Sequence, residues 1–118
     1  MNPEVKAAID RFAEKTIIVI GDVMLDRFWW GAVERISPEA PVPIVDLKSS
    51  SDIVGGAANV AANACSLGAK VAVLGVIGDD DDGDALTKAL TLMGIDGSGL
   101  VRIPGRPTTV KTRIIASH

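Results

Sequence analysis

The chain has 118 residues, of which 47% are hydrophobic and 23% charged, and a formal net charge of −3 at pH 7. This balance is typical of a globular chain, and the lack of a basic excess argues against nucleic-acid binding. One cysteine excludes an intrachain disulfide, and the one histidine, His118, is the last residue, so catalytic triads, Cys-His dyads and histidine-zinc sites are not expected.

The first segment carries the signals of a helix followed by a strand. Asn2 can cap a helix whose first turn contains Pro3. The apolar run at residues 16–20 ends at Gly21 and predicts a central strand covered on both faces. No apolar run approaches the about 20 residues that cross a bilayer, and the sequence shows no signal peptide. We therefore expect a cytoplasmic location.

The next segment differs in composition. Residues 28–33 and 42–47 predict two strands with prolines between them, which favours a small flap outside the main sheet. Asp22 and Asp26 follow the first strand, and ligands bind at the carboxyl ends of the strands in open parallel sheets. Such carboxylates could accept hydroxyl groups of a polyol, although each aspartate alone is more typical of a turn or cap.

Gly55 and Gly56 precede an alanine-rich helix predicted over residues 57–67. Adjacent glycines can expose backbone N–H groups to a ligand, and a tight turn with positive φ explains them equally well. Asn59 is predicted to be buried, so its amide needs a partner such as a sugar hydroxyl or a backbone carbonyl. The dinucleotide fingerprint and the P-loop pattern are absent.

The remaining elements alternate between strand and helix. A buried strand is predicted at 71–77, a helix over 84–93, a short strand near 100–103 and a longer strand at 108–116. This alternation favours an α/β fold with right-handed crossovers and a largely parallel sheet. The aspartates at 79–82 do not fit a calcium loop and complement the helix dipole instead, so no metal site is predicted.

Three cations, Arg106, Lys111 and Arg113, occur near the end of the chain. Lys111 and Arg113 share one face if residues 108–116 form a strand. Such a face could bind a phosphate group, although a solvated strand face is the simpler interpretation.

The glycine-rich pattern resembles the first signature of the ribokinase-like (PfkB) carbohydrate kinases. The matching positions are Gly55, Gly56, Ala57, Asn59, Ala61, Gly68 and Gly78. Residues 21–43 and 106–113 resemble, more narrowly, the heptose 7-phosphate kinase domains of bifunctional ADP-heptose synthesis proteins. The resemblance implies a Rossmann-like three-layer α/β sandwich with a largely parallel sheet and a small β-lid. It also implies that residues 1–118 are the N-terminal part of one kinase domain.

The resemblance implies a sugar site residue by residue. Asp26 matches the acid that binds sugar hydroxyls, Gly55 and Gly56 match glycines that face the sugar, and Asn59 matches the signature asparagine. Met24 stands where many pentose kinases have asparagine, which argues against simple ribokinase specificity.

The resemblance also implies a lid. Residues 27–48 and 108–116 match the β-lid, which closes over the sugar in this family and often pairs two subunits, so a homodimer is expected. Arg106, Lys111 or Arg113 would then contact the phosphate of the substrate or the lid.

The second family signature, Gly-Ala-Gly-Asp, is absent from the sequence. In the family it supplies the catalytic base and anion-stabilising amides, and the ATP-binding residues accompany it, so no catalytic residue is assigned in this chain. The full-length enzyme is expected to use ATP and Mg²⁺ to phosphorylate D-glycero-D-manno-heptose 7-phosphate at C1, toward ADP-heptose for the lipopolysaccharide core.

We expect the 118-residue chain alone to be inactive, to bind neither ATP nor Mg²⁺, and to self-associate through uncovered surface. Two alternatives remain at this point. The chain could be a non-catalytic sugar-binding or dimerisation fragment of another kinase of this family. It could also be half of a Rossmann-type dehydrogenase, which the missing dinucleotide fingerprint disfavours.

Overall fold

The computed structural model describes residues 1–117, so His118 lies outside the described residues. The strands form two three-stranded sheets, sheet A with the order β1-β4-β5 and sheet B with the order β3-β2-β6. The elements in chain order are α1 (Pro3–Asp10), a short 3₁₀ helix (Arg11–Glu14), β1 (Thr16–Ile20), β2 (Val23–Ile36), β3 (Pro43–Gly56), α2 (Ala57–Ser66), β4 (Lys70–Gly78), α3 (Asp81–Leu92), β5 (Asp96–Ile103) and β6 (Val110–Ser117).

Sheet A is entirely parallel, since β4 pairs in parallel with both β1 and β5. The apolar core lies where β4, α2, α3 and the inner ends of β2 and β3 meet. Its buried members are Val23, Leu25, Val54, Ala58, Ala61, Ala69, Val71, Val73, Ile77, Leu86, Leu90 and Ile95. The small alanines of α2 allow this helix to pack closely against the strands. The predicted α/β class with a parallel sheet is confirmed.

The position of β1 differs from the prediction. Residues 16–20 form a strand, but it pairs with β4 alone and lies at the edge of sheet A. The side chains of Ile18 and Ile20 are 61% and 76% exposed, so the expectation of a central strand covered on both faces is wrong here. An apolar run specifies a strand, whereas its neighbours in the sheet are decided by the rest of the fold.

Sheet B is a long β2–β3 hairpin extended by β6, which runs parallel to β2. The predicted flap strands at 28–33 and 42–47 are much shorter than the observed ones, because the hairpin begins at Val23 and ends at Gly56. Only the inner end enters the core, and the outer end is largely exposed, which leaves no continuous apolar alternation in the sequence. The molecule is correspondingly elongated, with principal extents of 63 × 41 × 19 Å.

The helix ends follow local capping signals. The Asn2 side chain accepts a hydrogen bond from the Glu4 N–H, as predicted for α1. Gly68, just beyond α2, has a φ of +104°, the conformation expected after a helix. Helix α3 begins at Asp81, earlier than predicted, because Asp80 is its cap. Within residues 1–117, no helix is both long and apolar enough to cross a membrane.

Candidate functional site

One face of sheet B brings together several of the predicted site residues. The register places Asp26 beside Lys111, Phe28 beside Arg113, and Met24 opposite Gly55. Because side chains alternate between the two faces of a strand, these residues share one face, which we call the site face. Its members considered below are Met24, Asp26, Phe28, Trp30, Gly55, Lys111 and Arg113.

Gly55 leaves room for the Asp26 carboxylate. A Cβ atom on Gly55 would lie 2.9 Å from Asp26 Oδ2 and 2.9 Å from Met24 Cγ. Asp26 is half-buried, and its carboxylate makes no side-chain hydrogen bond within residues 1–117. A carboxylate held in this way can accept hydrogen bonds from two hydroxyl groups of a ligand.

Gly56 has a different role from Gly55. Its φ is +59°, and a Cβ atom there would lie 2.3 Å from the Asp22 carbonyl oxygen. The next residue, Ala57, donates its N–H to the same oxygen at 2.7 Å. Gly56 therefore makes the turn from the end of β3 into α2, packed against the backbone of Asp22, and it is the turn interpretation of the glycine pair that applies to this residue.

Asn59 lies in the first turn of α2 and is exposed, so the predicted burial of its amide is wrong. Ala58 and Ala61 are fully buried instead. Each helical residue is rotated by about 100° from the previous one, which turns Asn59 away when its neighbour Ala58 faces the core. Because the Asn59 amide is exposed, it does not need a protein or ligand partner, although it can still contact a ligand.

The three predicted cations do not form one cluster. The Arg113 guanidinium lies over the Phe28 ring, 5.4 Å from its centroid, and Phe28 stacks with Trp30 at 6.3 Å. This contact favours one position for the Arg113 charge on the site face. Arg106 lies before β6, in a turn where its N–H donates to Ile103 O, so it is not part of the sheet face.

A hydrogen-bond network that the sequence did not reveal joins the end of β4 to the segment before β6. Thr108 is 5% exposed and is buried beside Asp80. Its hydroxyl donates to Asp80 Oδ1 at 2.6 Å and accepts from the Gly78 N–H at 2.8 Å. Its own N–H donates to Asp80 Oδ2, and the Gly83 N–H donates to Asp80 Oδ1. These donors hold the pKa of Asp80 below its ordinary value, with the Thr108 hydroxyl as the largest cause.

A second unforeseen network lies on the opposite face of β2. Arg27 binds both oxygens of Asp52, with Nε–Oδ1 at 2.9 Å and Nη2–Oδ2 at 3.0 Å. Its Nη2 also donates to Asp82 Oδ1 at 2.7 Å, in the first turn of α3. The Asp52 and Asp82 carboxylates raise the pKa of Arg27 further, with Asp52 as the larger cause, so the side chain stays charged.

Replacing Thr108 by valine is expected to lower the free energy of unfolding by about 1–3 kcal/mol, because the buried Gly78 N–H loses its acceptor. The control is Thr109→Val, the same change at an exposed neighbour. Denaturant unfolding at neutral pH measures both, and equal stabilities would contradict the prediction.

The stability difference between Thr108→Val and the native chain, measured by the same unfolding experiment, has a predicted dependence on pH. Because the pKa of Asp80 is lowered by folding, its contribution to stability is present above the ordinary value of 3.8 and is lost as pH falls through the lower folded value. As the pH falls below 3.8, the native chain is therefore expected to lose more of its free energy of unfolding than the Thr108→Val variant does.

Two concave regions of the described residues lie apart from the residues of the site face. One cavity of about 420 Å³ lies at the outer hairpin and is lined by Ala32, Glu34, Arg35, Ile44, Val45 and Asp46. Another of about 490 Å³ is lined by Ala62, Asn63, Cys65, Ser66 and Met93. Within the described residues, no three His, Cys, Asp or Glu side chains are grouped as metal ligands.

The parallel sheet A with its helices, and a second sheet B whose strand β3 runs through Gly55 and Gly56 into α2, form a ribokinase-like fold. The structure of Arabidopsis thaliana ribokinase complexed with ribose and ATP is similar, with a TM-score of 0.69, 19% identity, and coverage of 86% of this chain and 32% of that one. The chain belongs to the pfkB family of carbohydrate kinases, which it matches over residues 14–118. The predicted family and fold class are confirmed, and the dehydrogenase alternative gains no support.

Two curated relatives carry the name bifunctional protein HldE. The protein from Magnetococcus marinus is 49% identical over 91% of this chain and 22% of its own length. The protein from Pseudomonas aeruginosa strain LESB58 is 47% identical over 96% of this chain and 24% of its own length. The chain thus spans about a quarter of the length of these relatives.

Proposed function

We propose that this chain is the sugar-binding part of an ATP-dependent kinase that phosphorylates a heptose 7-phosphate, specifically D-glycero-D-manno-heptose 7-phosphate at C1, toward ADP-heptose. The observation that carries the proposal is the half-buried Asp26 carboxylate, which lies against Gly55 and beside Lys111 on the site face. The similarity to HldE proteins supports the choice of a heptose phosphate over a pentose.

The chemistry of the site face suits a phosphorylated sugar. Asp26 accepts hydrogen bonds from sugar hydroxyls, and Gly55 lets the ring approach the backbone. Asn59 donates to or accepts from a further hydroxyl. Lys111 and Arg113 supply positive charge for the phosphate, which is the part of the substrate that a simple pentose lacks.

Phosphoryl transfer is assigned to residues other than those described. The sequence has no Gly-Ala-Gly-Asp segment and no P-loop pattern, and no three His, Cys, Asp or Glu side chains of the described residues are grouped as metal ligands. No catalytic residue is therefore assigned here, and the need for ATP and Mg²⁺ in the whole enzyme stays a prediction. The inactivity of this chain alone and its cytoplasmic location also stay predictions.

The proposal is tested by comparing a heptose 7-phosphate with the unphosphorylated heptose in calorimetric titrations. The native chain is expected to bind the phosphate ester at least about tenfold more tightly, because a charge-assisted hydrogen bond contributes about 1.5–3 kcal/mol. Arg113→Gln should remove most of this preference. Arg106→Gln is the matched control and should retain it, since Arg106 lies outside sheet B. Equal affinities of the native chain for both sugars would contradict the proposed substrate class.

A second candidate function is dimerisation through the outer part of sheet B. Trp30 is 43% and Ile115 40% exposed, and they are neighbours on the site face beyond Phe28. An aromatic and apolar patch of this kind is typical of a surface that another protein covers. A homodimer through the lid, like self-association through an uncovered sheet edge and surface, stays a prediction.

A further inference from the structure

The N-terminal end of α3, with its cap Asp80, contacts sheet B at one point and the segment that leads into β6 at another. Asp82 accepts a hydrogen bond from Arg27 of β2, and Asp80 accepts two from Thr108, which precedes β6. The two strands concerned are neighbours in sheet B. One helical turn of α3 thus holds both strands that carry the charged residues of the site face.

The Arg27 contact has the geometry of a strong ion pair. The guanidinium binds Asp52 through two nitrogens and reaches Asp82 with Nη2, and the three side chains are 22%, 32% and 35% exposed. Partial burial and bidentate hydrogen bonding make such ion pairs stronger than exposed ones. Asp52 lies on β3, so that half of the network stays inside sheet B, whereas Asp82 belongs to α3.

Arg27 is also adjacent to the proposed sugar ligand Asp26. The two side chains point to opposite faces of β2, so Arg27 does not touch the site face. On the other side of Asp26 along β2, Leu25 N donates to Thr109 O at 3.0 Å, and this hydrogen bond couples the segment around Thr108 directly to β2. A shift of β2 relative to α3 would therefore move Asp26 relative to the body of the fold.

We propose that the first turn of α3 is a two-point anchor that sets the orientation of sheet B, and that Arg27 is a positioning residue for the Asp26 site. The effect on the site rests on the proposed function, whereas the anchor itself does not. Sheet B projects far from the core, so a small rotation at its inner end produces a large displacement at its outer end. The apolar contacts at the inner end of sheet B keep the sheet attached to the core, but the directional ion pair and hydrogen bonds fix the angle between sheet B and α3.

The test uses a matched pair of substitutions. Asp82→Asn removes the charge from the contact of Arg27 with α3 and leaves at most a neutral hydrogen bond, and Asp52→Asn does the same to its contact within sheet B. Spin labels at Lys88→Cys on α3 and Lys48→Cys on β3, in a Cys65→Ser background, report the distance between helix and sheet. Both label positions are exposed. Asp82→Asn is expected to broaden the distance distribution, Asp52→Asn to leave its width nearly unchanged, and Asp82→Glu to restore the native width.

Titration with a heptose 7-phosphate provides the second readout. Asp82→Asn is expected to weaken binding by about three- to tenfold, since coupling between neighbouring elements is typically worth that much. Asp52→Asn should change affinity by less than about twofold. Circular dichroism and unfolding midpoints establish that both variants fold.

The outcomes separate this inference from the proposed function. An unchanged distance distribution in Asp82→Asn overturns the anchor, whatever the titrations show. A broadened distribution supports the anchor, and if Asp82→Asn then also binds sugar phosphate more weakly, the positioning role is supported. If the distribution broadens but neither Asp26→Asn nor Asp82→Asn changes the titration, the positioning role of Arg27 is overturned together with the proposed function.

Discussion

Replacing Gly78 by alanine is expected to lower the free energy of unfolding by at least about 3 kcal/mol, a large fraction of the roughly 5–15 kcal/mol by which native proteins are stable. A Cβ atom at Gly78 would lie 2.2 Å from Arg106 O and 2.7 Å from both Thr108 N and Asp80 Oδ2. Arg106 O is a backbone atom, and Thr108 N and Asp80 Oδ2 are hydrogen-bonded to each other, so these two atoms cannot move apart without breaking the Asp80 network. The residue ends β4, the strand between the other two of sheet A.

Gly97→Ala is the control for this experiment. A Cβ atom there would meet only Leu100 Cδ1, at 3.5 Å, and Gly97 does not have positive φ. Urea unfolding followed by circular dichroism compares the two variants with the native chain. If Gly78→Ala loses no more stability than Gly97→Ala, the close approach at Gly78 is not a constraint on the fold.

Replacing Asp26 by asparagine is expected to weaken binding of a heptose 7-phosphate by about ten- to a hundredfold, the effect of losing charge-assisted hydrogen bonds to a ligand. The fold should be little affected, because the Asp26 carboxylate has no side-chain hydrogen-bond partner within residues 1–117. Gly55→Ala provides an independent route to the same result, since its Cβ would lie 2.9 Å from Asp26 Oδ2 and displace the carboxylate.

The matched control is Asp46→Asn on the outer hairpin, where the carboxylate pairs with Lys48 alone at an exposed position. It removes the same charge from the same sheet and should bind as the native chain does. Calorimetric titration at fixed ionic strength measures the affinities. Native affinity in the Asp26→Asn variant would overturn the assignment of Asp26 as a sugar ligand.

Local signals in the sequence predicted the elements well. The Asn2 cap, the strand at 16–20, the alanine-rich α2 and its end at Gly68 are all observed. Each depends on residues only a few positions apart, whose hydrogen bonds and periodicity are fixed within one turn or strand. The start of α3 was missed by three residues because the choice of cap among four consecutive aspartates has no clear local signal.

The candidate site was only partly predictable. The family resemblance pointed to Asp26, Gly55, Gly56 and Asn59, but their environments differ in ways that the sequence pattern does not encode. Gly55 leaves space for a carboxylate and Gly56 makes a turn with positive φ. Asn59 is exposed, because the phase of α2 is set by which alanines face the core.

By itself, the sequence determined the order and kind of most elements, the family, and the residues of its signature. The tertiary structure alone decided that β1 lies at an edge, that Arg106 is separate from the site face, and that α3 binds sheet B. The hydrogen bonds between Thr108 and Asp80 span 28 residues, and the one between Arg27 and Asp82 spans 55. Partners so far apart meet only when the packed core brings their elements together, so no local preference could have specified them.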